Sequence, residues 1–157
     1  MDSVRFRPMT EADIEPVMVL EQAAYEVPWT AGIFADCLRV GYSCWVACRT
    51  DQAEEPIIGY ALLSVAADEA HILNLCVSPD FQGHGLGSRL LKRLIDLARW
   101  HRAHRIILEV RQSNAHAAGM YERAGFKLVG TRKGYYQTAD GGREDAVVMI
   151  LELRTDA

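Results

Sequence analysis

Alternating apolar and polar residues open the chain, where Val4-Arg5-Phe6-Arg7 has the period-two pattern of a short strand. The period then changes. Ile14, Val17, Met18 and Leu20 recur at helical spacing behind Thr10 and Asp13, which offer a partial capping box for a helix starting at Glu11. Pro28-Trp29 breaks that helix, and Thr30 caps a second one reaching about Val40. Strands are predicted over 43–48, 57–65 and 70–77, with a polar hairpin loop over 49–56 and a turn at Asp68-Glu69. Leu86, Leu90, Leu91, Leu94, Ile95, Leu97 and Ala98 form a long helical stripe, and most of the nearby arginines fall on its other side. The run 105–111, dense in branched apolar residues, is a strand, and a helix over 114–124 stops at Gly125. Last come strands over 126–129 and 146–153, joined by a long glycine-rich connection. This order predicts one mixed α/β domain over residues 1–157, its sheet largely antiparallel and flanked by helices.

Composition narrows the class. A chain of 157 residues, 50% apolar and 24% charged, is long enough for one soluble domain with a real core. No apolar run approaches the roughly 18–20 residues of a membrane span. The first residues, Met1 to Arg7, lack the apolar segment of a signal peptide, so a cytoplasmic address and no membrane partner are expected. A net charge of −4 argues against direct nucleic-acid binding. Cys37, Cys44, Cys48 and Cys76 form no CxxC pair and have no histidine at zinc-finger spacing, so no metal is expected. Cys44 and Cys48 flank Trp45-Val46-Ala47 and read as small core residues.

The chemistry concentrates in Gln82-Gly83-His84-Gly85-Leu86-Gly87-Ser88, where glycines strip the backbone of side chains at the start of a helix. The first amides of a helix have no partner within it, and its dipole is positive there, so the loop suits a phosphate-bearing ligand. A dinucleotide fold fits poorly. Ser88 stands where the third glycine belongs, and five residues separate the strand from the first glycine, where that fold needs an immediate turn. No GK[ST] follows, so a P-loop is excluded. A plain strand–helix connection remains open on these residues alone.

Gln82-x-x-Gly85-x-Gly87 resembles the [Q/R]-x-x-G-x-[G/A] signature of the GCN5-related N-acetyltransferases, and the order of elements resembles that acyltransferase fold over nearly the whole chain. The resemblance implies acetyl-coenzyme A as co-substrate. It places Leu75, Cys76 and Val77 along the pantetheine arm, Gln82, Gly83, His84, Gly85, Leu86, Gly87 and Ser88 around the phosphates, and Asn114 as a further contact. Downstream, Leu108-Glu109-Val110-Arg111, Ser113-Asn114, Tyr121-Glu122, Gly125-Phe126, Gly134-Tyr135-Tyr136 and Gly142-Arg143-Glu144-Asp145-Ala146 look like the bacterial ribosomal-protein-alanine N-acetyltransferases, as does Val27-Pro28-Trp29-Thr30. That implies an acceptor at the N-terminal α-amino group of a small-subunit ribosomal protein. Pro28, Trp29, Tyr135, Tyr136, Glu144 and Asp145 would line its groove, with Glu26, Glu144 and Asp145 available to a basic peptide. Departures occur at Gly83-His84, at Gly119 inside a helix and at the extra glycine in Gly141-Gly142.

Acetyl transfer to an amine needs a base for the amine and an acid for the departing thiolate. The resemblance assigns Glu109 as base and Tyr121 as acid. Among apolar neighbours, Glu109 is expected to have a raised pKa. Without the resemblance, Glu109 reads more readily as a strand carboxylate paired with Arg111 or Arg105, and Tyr121 as a core residue beside Phe126. Asn114 also suits a helix cap, and His84 a solvated loop. The basic run from Arg99 to Arg105 reads as a solvated helix end rather than a contact for the coenzyme's 3′-phosphate. Two further readings stay open: an acetyltransferase for a small-molecule amine, and a non-catalytic acyl-coenzyme A-binding module.

Overall fold

A computed structural model describes residues 3–153. Its elements are β1 (Val4–Pro8), a 3-10 turn (Glu11–Asp13), α1 (Ile14–Ala24), α2 (Ala31–Arg39), β2 (Ser43–Arg49), β3 (Ile57–Ala66), β4 (Glu69–Val77), a second 3-10 turn (Pro79–Phe81), α3 (Leu86–Trp100), β5 (Arg105–Arg111), α4 (Ala115–Arg123), β6 (Lys127–Gln137) and β7 (Arg143–Glu152). The seven strands are hydrogen-bonded in the order β1-β2-β3-β4-β5-β7-β6. This is the mixed α/β architecture that the pattern predicts.

The described residues divide into two compact units, 3–64 with 73–94 and 65–72 with 95–153. In the first, β1, β2 and β3 pair antiparallel. Its core gathers Val17, Phe34, Val46, Tyr60 and Leu62, together with the buried thiols of Cys37, Cys44, Cys48 and Cys76. The cysteines are thus small apolar core residues. Thr10 and Asp13 form the capping box expected at Glu11, the Thr10 N–H donating to Asp13 Oδ2 at 2.8 Å, but it caps the 3-10 turn that leads into α1. The first turn, Glu11–Asp13, is a 3-10 turn rather than α-helix, and Asp13 is also held by both terminal nitrogens of Arg7 at 2.7 and 2.8 Å. Thr30 caps α2 by accepting from the Ile33 N–H. Gly59 lets the start of α3 lie close on β3: a Cβ there would stand 3.0 Å from Leu90 Cδ1 and 3.1 Å from the Cys76 carbonyl.

In the second unit β4 pairs with β5 in parallel over Glu69–His71, and β5 and β6 each pair antiparallel with β7. Gly125, with φ at +105°, ends α4 in the left-handed conformation foreseen for it. The last two strands correct the pattern-based expectation. β6 runs to Gln137 and β7 begins at Arg143, so the connection is short. Most of β6 is exposed, which erases the apolar alternation that marks a strand in sequence, and its register on β7 shifts at Leu128/Gly130 and Arg132/Tyr136.

Two glycine exchanges should move stability in opposite directions. Gly59→Ala drives a methyl group against backbone and Leu90, and should cost about 1–3 kcal/mol. Gly119→Ala fills a position inside α4 whose nearest neighbour is the tip of exposed Arg123, and should gain up to about 1 kcal/mol. Denaturant titration of both variants reads the two signs.

Candidate functional site

The glycine loop belongs to the first unit. Gly83 and Gly85 have φ of +84° and +78°, a backbone conformation that side chains disfavour, and the space around both is open. The Arg89 N–H donates to the Gly85 carbonyl at 3.1 Å, so the hydrogen-bond ladder of α3 starts there. The amides of Leu86, Gly87 and Ser88 precede it, at the positive end of a 15-residue helix. The Leu86 side chain is buried and anchors this end, while Gln82, Gly83, His84, Gly85 and Ser88 are exposed. An exposed, side-chain-poor helix start of this kind fits a pyrophosphate. Gln82 turns back, its amide nitrogen donating to the Val77 carbonyl at 3.4 Å. In the preceding strand Leu75 and Val77 are half-buried, and the Leu75 carbonyl accepts from Tyr25. The Cys76 side chain faces the core, where burial pushes its thiol up to about 11.

The candidate base belongs to the second unit. The parallel register sets His71 beside Ile107. Glu109 lies two residues further on and so projects from the same face of β5, while Leu108 and Val110 are buried on the other. His71 Nε2 stands 2.6 Å from Glu109 Oε1, and Arg132 Nε stands 3.4 Å from Oε2. The Glu109 side chain is 6% exposed, against 35% for His71. This hydrogen bond holds the Glu109 carboxyl below the usual carboxylate range; burial opposes the shift and is outweighed, and Arg132 adds to it. The expected raised pKa is therefore wrong in sign. The apolar residues beside Glu109 in the chain point to the opposite face, and its own face carries an imidazole and a guanidinium. Neither expected partner pairs with it: Arg111 binds Glu144 and Arg105 pairs with Glu69. His71 and Arg132 carry no local sign in the sequence, because the register of β4 on β5 brings His71 in.

Tyr121, on α4, is 7% exposed and packs edge-on against Phe126 with ring centroids 5.6 Å apart. Burial first, then the nearby Tyr136 phenol, raises its pKa, so its hydroxyl keeps its proton at neutral pH. Burial likewise pushes Tyr136 up to about 12, and the Arg111 guanidinium lies 4.5 Å from its ring centre. Tyr135 is 47% exposed and meets Tyr136 edge-on at 5.0 Å. Asn114 caps α4 by accepting from the Ala117 N–H at 3.2 Å.

The other anticipated acceptor contacts are tied down within the chain. The Trp29 N–H donates to Glu21 Oε2 at 2.8 Å and its ring leans on Phe34, beside half-buried Pro28. Glu144 accepts from Arg111 at 3.1 Å and from the Ser113 N–H at 2.8 Å, and Ser113 foremost lowers its pKa. Asp145 accepts from the Gly134 N–H at 2.9 Å. Glu144 thus ties β7 to β5 and to the turn after it, and Asp145 ties β7 to β6, while Glu26 is exposed. Of the basic run, His104 pairs with Asp68 and Arg105 with Glu69. No helix among the described residues is long and apolar enough to cross a membrane, and no cluster among them could hold a metal ion.

A model of the acetyltransferase (GNAT) family matches residues 10–126. A ribosomal protein bS18-alanine N-acetyltransferase of Haemophilus ducreyi is 36% identical over 150 residues, covering 92% of this chain and 97% of that protein. The crystal structure of the ribosomal-protein-S18-alanine N-acetyltransferase from Escherichia coli superposes with a TM-score of 0.86 at 33% identity, covering 98% of this chain and 96% of that one. Ard1 from Thermoplasma volcanium shares the fold with a TM-score of 0.85 at 24% identity, covering 98% and 99% of the two chains. With a family match across most of its length and relatives of this identity on the same fold, the chain belongs to the acetyltransferase (GNAT) family.

Proposed function

We propose that this protein transfers an acetyl group from acetyl-coenzyme A to the N-terminal α-amino group of a protein, in the bacterial cytoplasm. The acceptor is the N-terminal alanine of a small-subunit ribosomal protein, the substrate class named for relatives such as the Haemophilus ducreyi enzyme. The observation that carries the transfer chemistry is Glu109, a buried carboxylate held ionised by a hydrogen bond from His71.

Acetyl-coenzyme A supplies the acetyl thioester. Gly83, His84, Gly85, Leu86, Gly87 and Ser88 hold its phosphates through backbone amides and the helix dipole, Gln82 fixes the loop, and the Leu75–Val77 backbone and Asn114 add contacts. Acceptor contacts are assigned, within the first unit, to Pro28 and Trp29 and, separately within the second, to Tyr135, Tyr136, Glu144 and Asp145. An α-amino group has a pKa of about 8, so it arrives mostly as an ammonium ion. One proton leaves the ammonium for water, which frees the lone pair that attacks the acyl carbon. The nitrogen becomes far more acidic as it bonds to that carbon, so Glu109, a carboxylate of low pKa, can take its second proton. That transfer accompanies or follows attack. The new C–N bond replaces the C–S bond, and the Tyr121 hydroxyl gives a proton to the departing sulfur.

Glu109→Gln should lower turnover about 10²–10⁴-fold while coenzyme binding, read by calorimetry, is retained. Unchanged turnover would remove Glu109 from the mechanism. Tyr121→Phe should slow transfer with the fold intact, and an unchanged rate would return Tyr121 to the core alone. In a panel of amines, peptides with a free N-terminal alanine should be preferred over N-terminally blocked peptides, polyamines and antibiotics. Preference for a small amine would transfer the reading to that class, and coenzyme binding without turnover on any acceptor would favour a binding module.

A further inference from the structure

We infer that His71 is a positioning residue for the transfer: its Nε2–H fixes Oε1 of Glu109 and leaves Oε2 as the oxygen that meets the acceptor's ammonium group. The inference rests on the reading of Glu109 as base.

The two carboxylate oxygens are unlike. Oε1 is 2.6 Å from His71 Nε2. An ionised carboxylate has no hydrogen to give, so the imidazole nitrogen carries it and donates. The side chain nearest Oε2 is a more distant cation: Arg132 Nε stands at 3.4 Å on a side chain that is 53% exposed. That guanidinium also lies over the Tyr135 ring, 5.7 Å from its centre. An arriving ammonium can take the place of Arg132 beside Oε2, one cation for another, and the displaced arm returns to water and to Tyr135. No such exchange is open at Oε1.

The surroundings of Glu109 leave this role to His71. From β4 the facing group is His71, and from β6 the groups are Arg132, Tyr135 and Tyr136. From β7 the residue opposite is Val148, which is apolar. The tyrosines are themselves raised by burial and by the negative charge of Glu109, so they stay neutral beside it. Without His71, Oε1 would be a buried acceptor without its close donor, the carboxylate would be free to turn, and its ionised form would lose its main support.

A double-mutant cycle tests the inference. His71→Ala should lower kcat about 10- to 100-fold, the scale of a misplaced reacting group, with the dissociation constant of acetyl-coenzyme A unchanged. His71→Gln offers an amide N–H and should recover part of kcat; it also covers the case in which alanine unsettles the strand. In the Glu109→Gln background, His71→Ala should cost nothing further, because its effect passes through that carboxylate. Independently of activity, carbon-13 NMR of the Glu109 carboxyl should show it ionised to below the usual carboxylate range in the native protein. In His71→Ala the midpoint should move up, so that the ionised form is lost at a higher pH as acid is added. Wild-type kcat in His71→Ala, a loss that adds in full to that of Glu109→Gln, or an unmoved carboxyl midpoint would each overturn the role of His71. Wild-type turnover in Glu109→Gln would overturn the base itself, and the two failures are thus distinguishable.

Discussion

The parallel pairing of β4 with β5 over Glu69–His71 is the constraint on which the functional features depend. Parallel neighbours cannot be joined by a hairpin, so the chain must cross over. Here α3 makes that crossing, and the glycine loop opens it. The helix start suited to a phosphate is therefore a consequence of the strand pairing, sharpened by glycines at 83, 85 and 87. The same register brings His71 beside Ile107 and onto the face from which Glu109 projects. One pairing thus accounts for both the anion-suited loop and the partnered carboxylate, each within its own unit.

Saturation separates the structural carboxylates from the one assigned to chemistry. Buried Glu21 accepts from Tyr60, Asn74 and the Trp29 backbone, which ties α1, β3 and β4 to the chain at Trp29. Asp13 is taken bidentately by Arg7, and Glu144 by Arg111 and Ser113. Removing any of these donors leaves a buried or braced acceptor short of a partner. Among side chains, Glu109 has one close donor in His71 and one more distant, exposed cation in Arg132. In the proposed reaction, that asymmetry is what would give the substrate an oxygen at small cost to the fold.

Much of this was legible in the sequence where the signal is local. The strand Arg105–Arg111 coincides with its run of branched apolar residues, and Thr30 and Gly125 cap and end their helices as their side-chain chemistry requires. The glycine loop announced a helix start, and the resemblance carried by Gln82, Gly85 and Gly87 named its class. Features set by register were not legible. The strand Lys127–Gln137 is exposed, interrupted by Gly130 and Gly134, and extended only because β7 pairs with it. Glu109 was read through its chain neighbours, which in a strand face the other way. Its real surroundings come from His71, 38 positions before it in the chain, and from Arg132 on β6. Nothing local in the sequence marks Arg111 or the Gly134 amide as donors to Glu144 and Asp145.

The central claim is that an N-terminal alanine of a ribosomal protein is the acceptor. It is tested most directly by mass spectrometry of protein N-termini from cells with and without the gene for this chain. The account predicts that a small-subunit ribosomal protein beginning with alanine loses its N-terminal acetyl group when the gene is absent and regains it when the gene is restored. An unchanged set of acetylated ribosomal N-termini would contradict it.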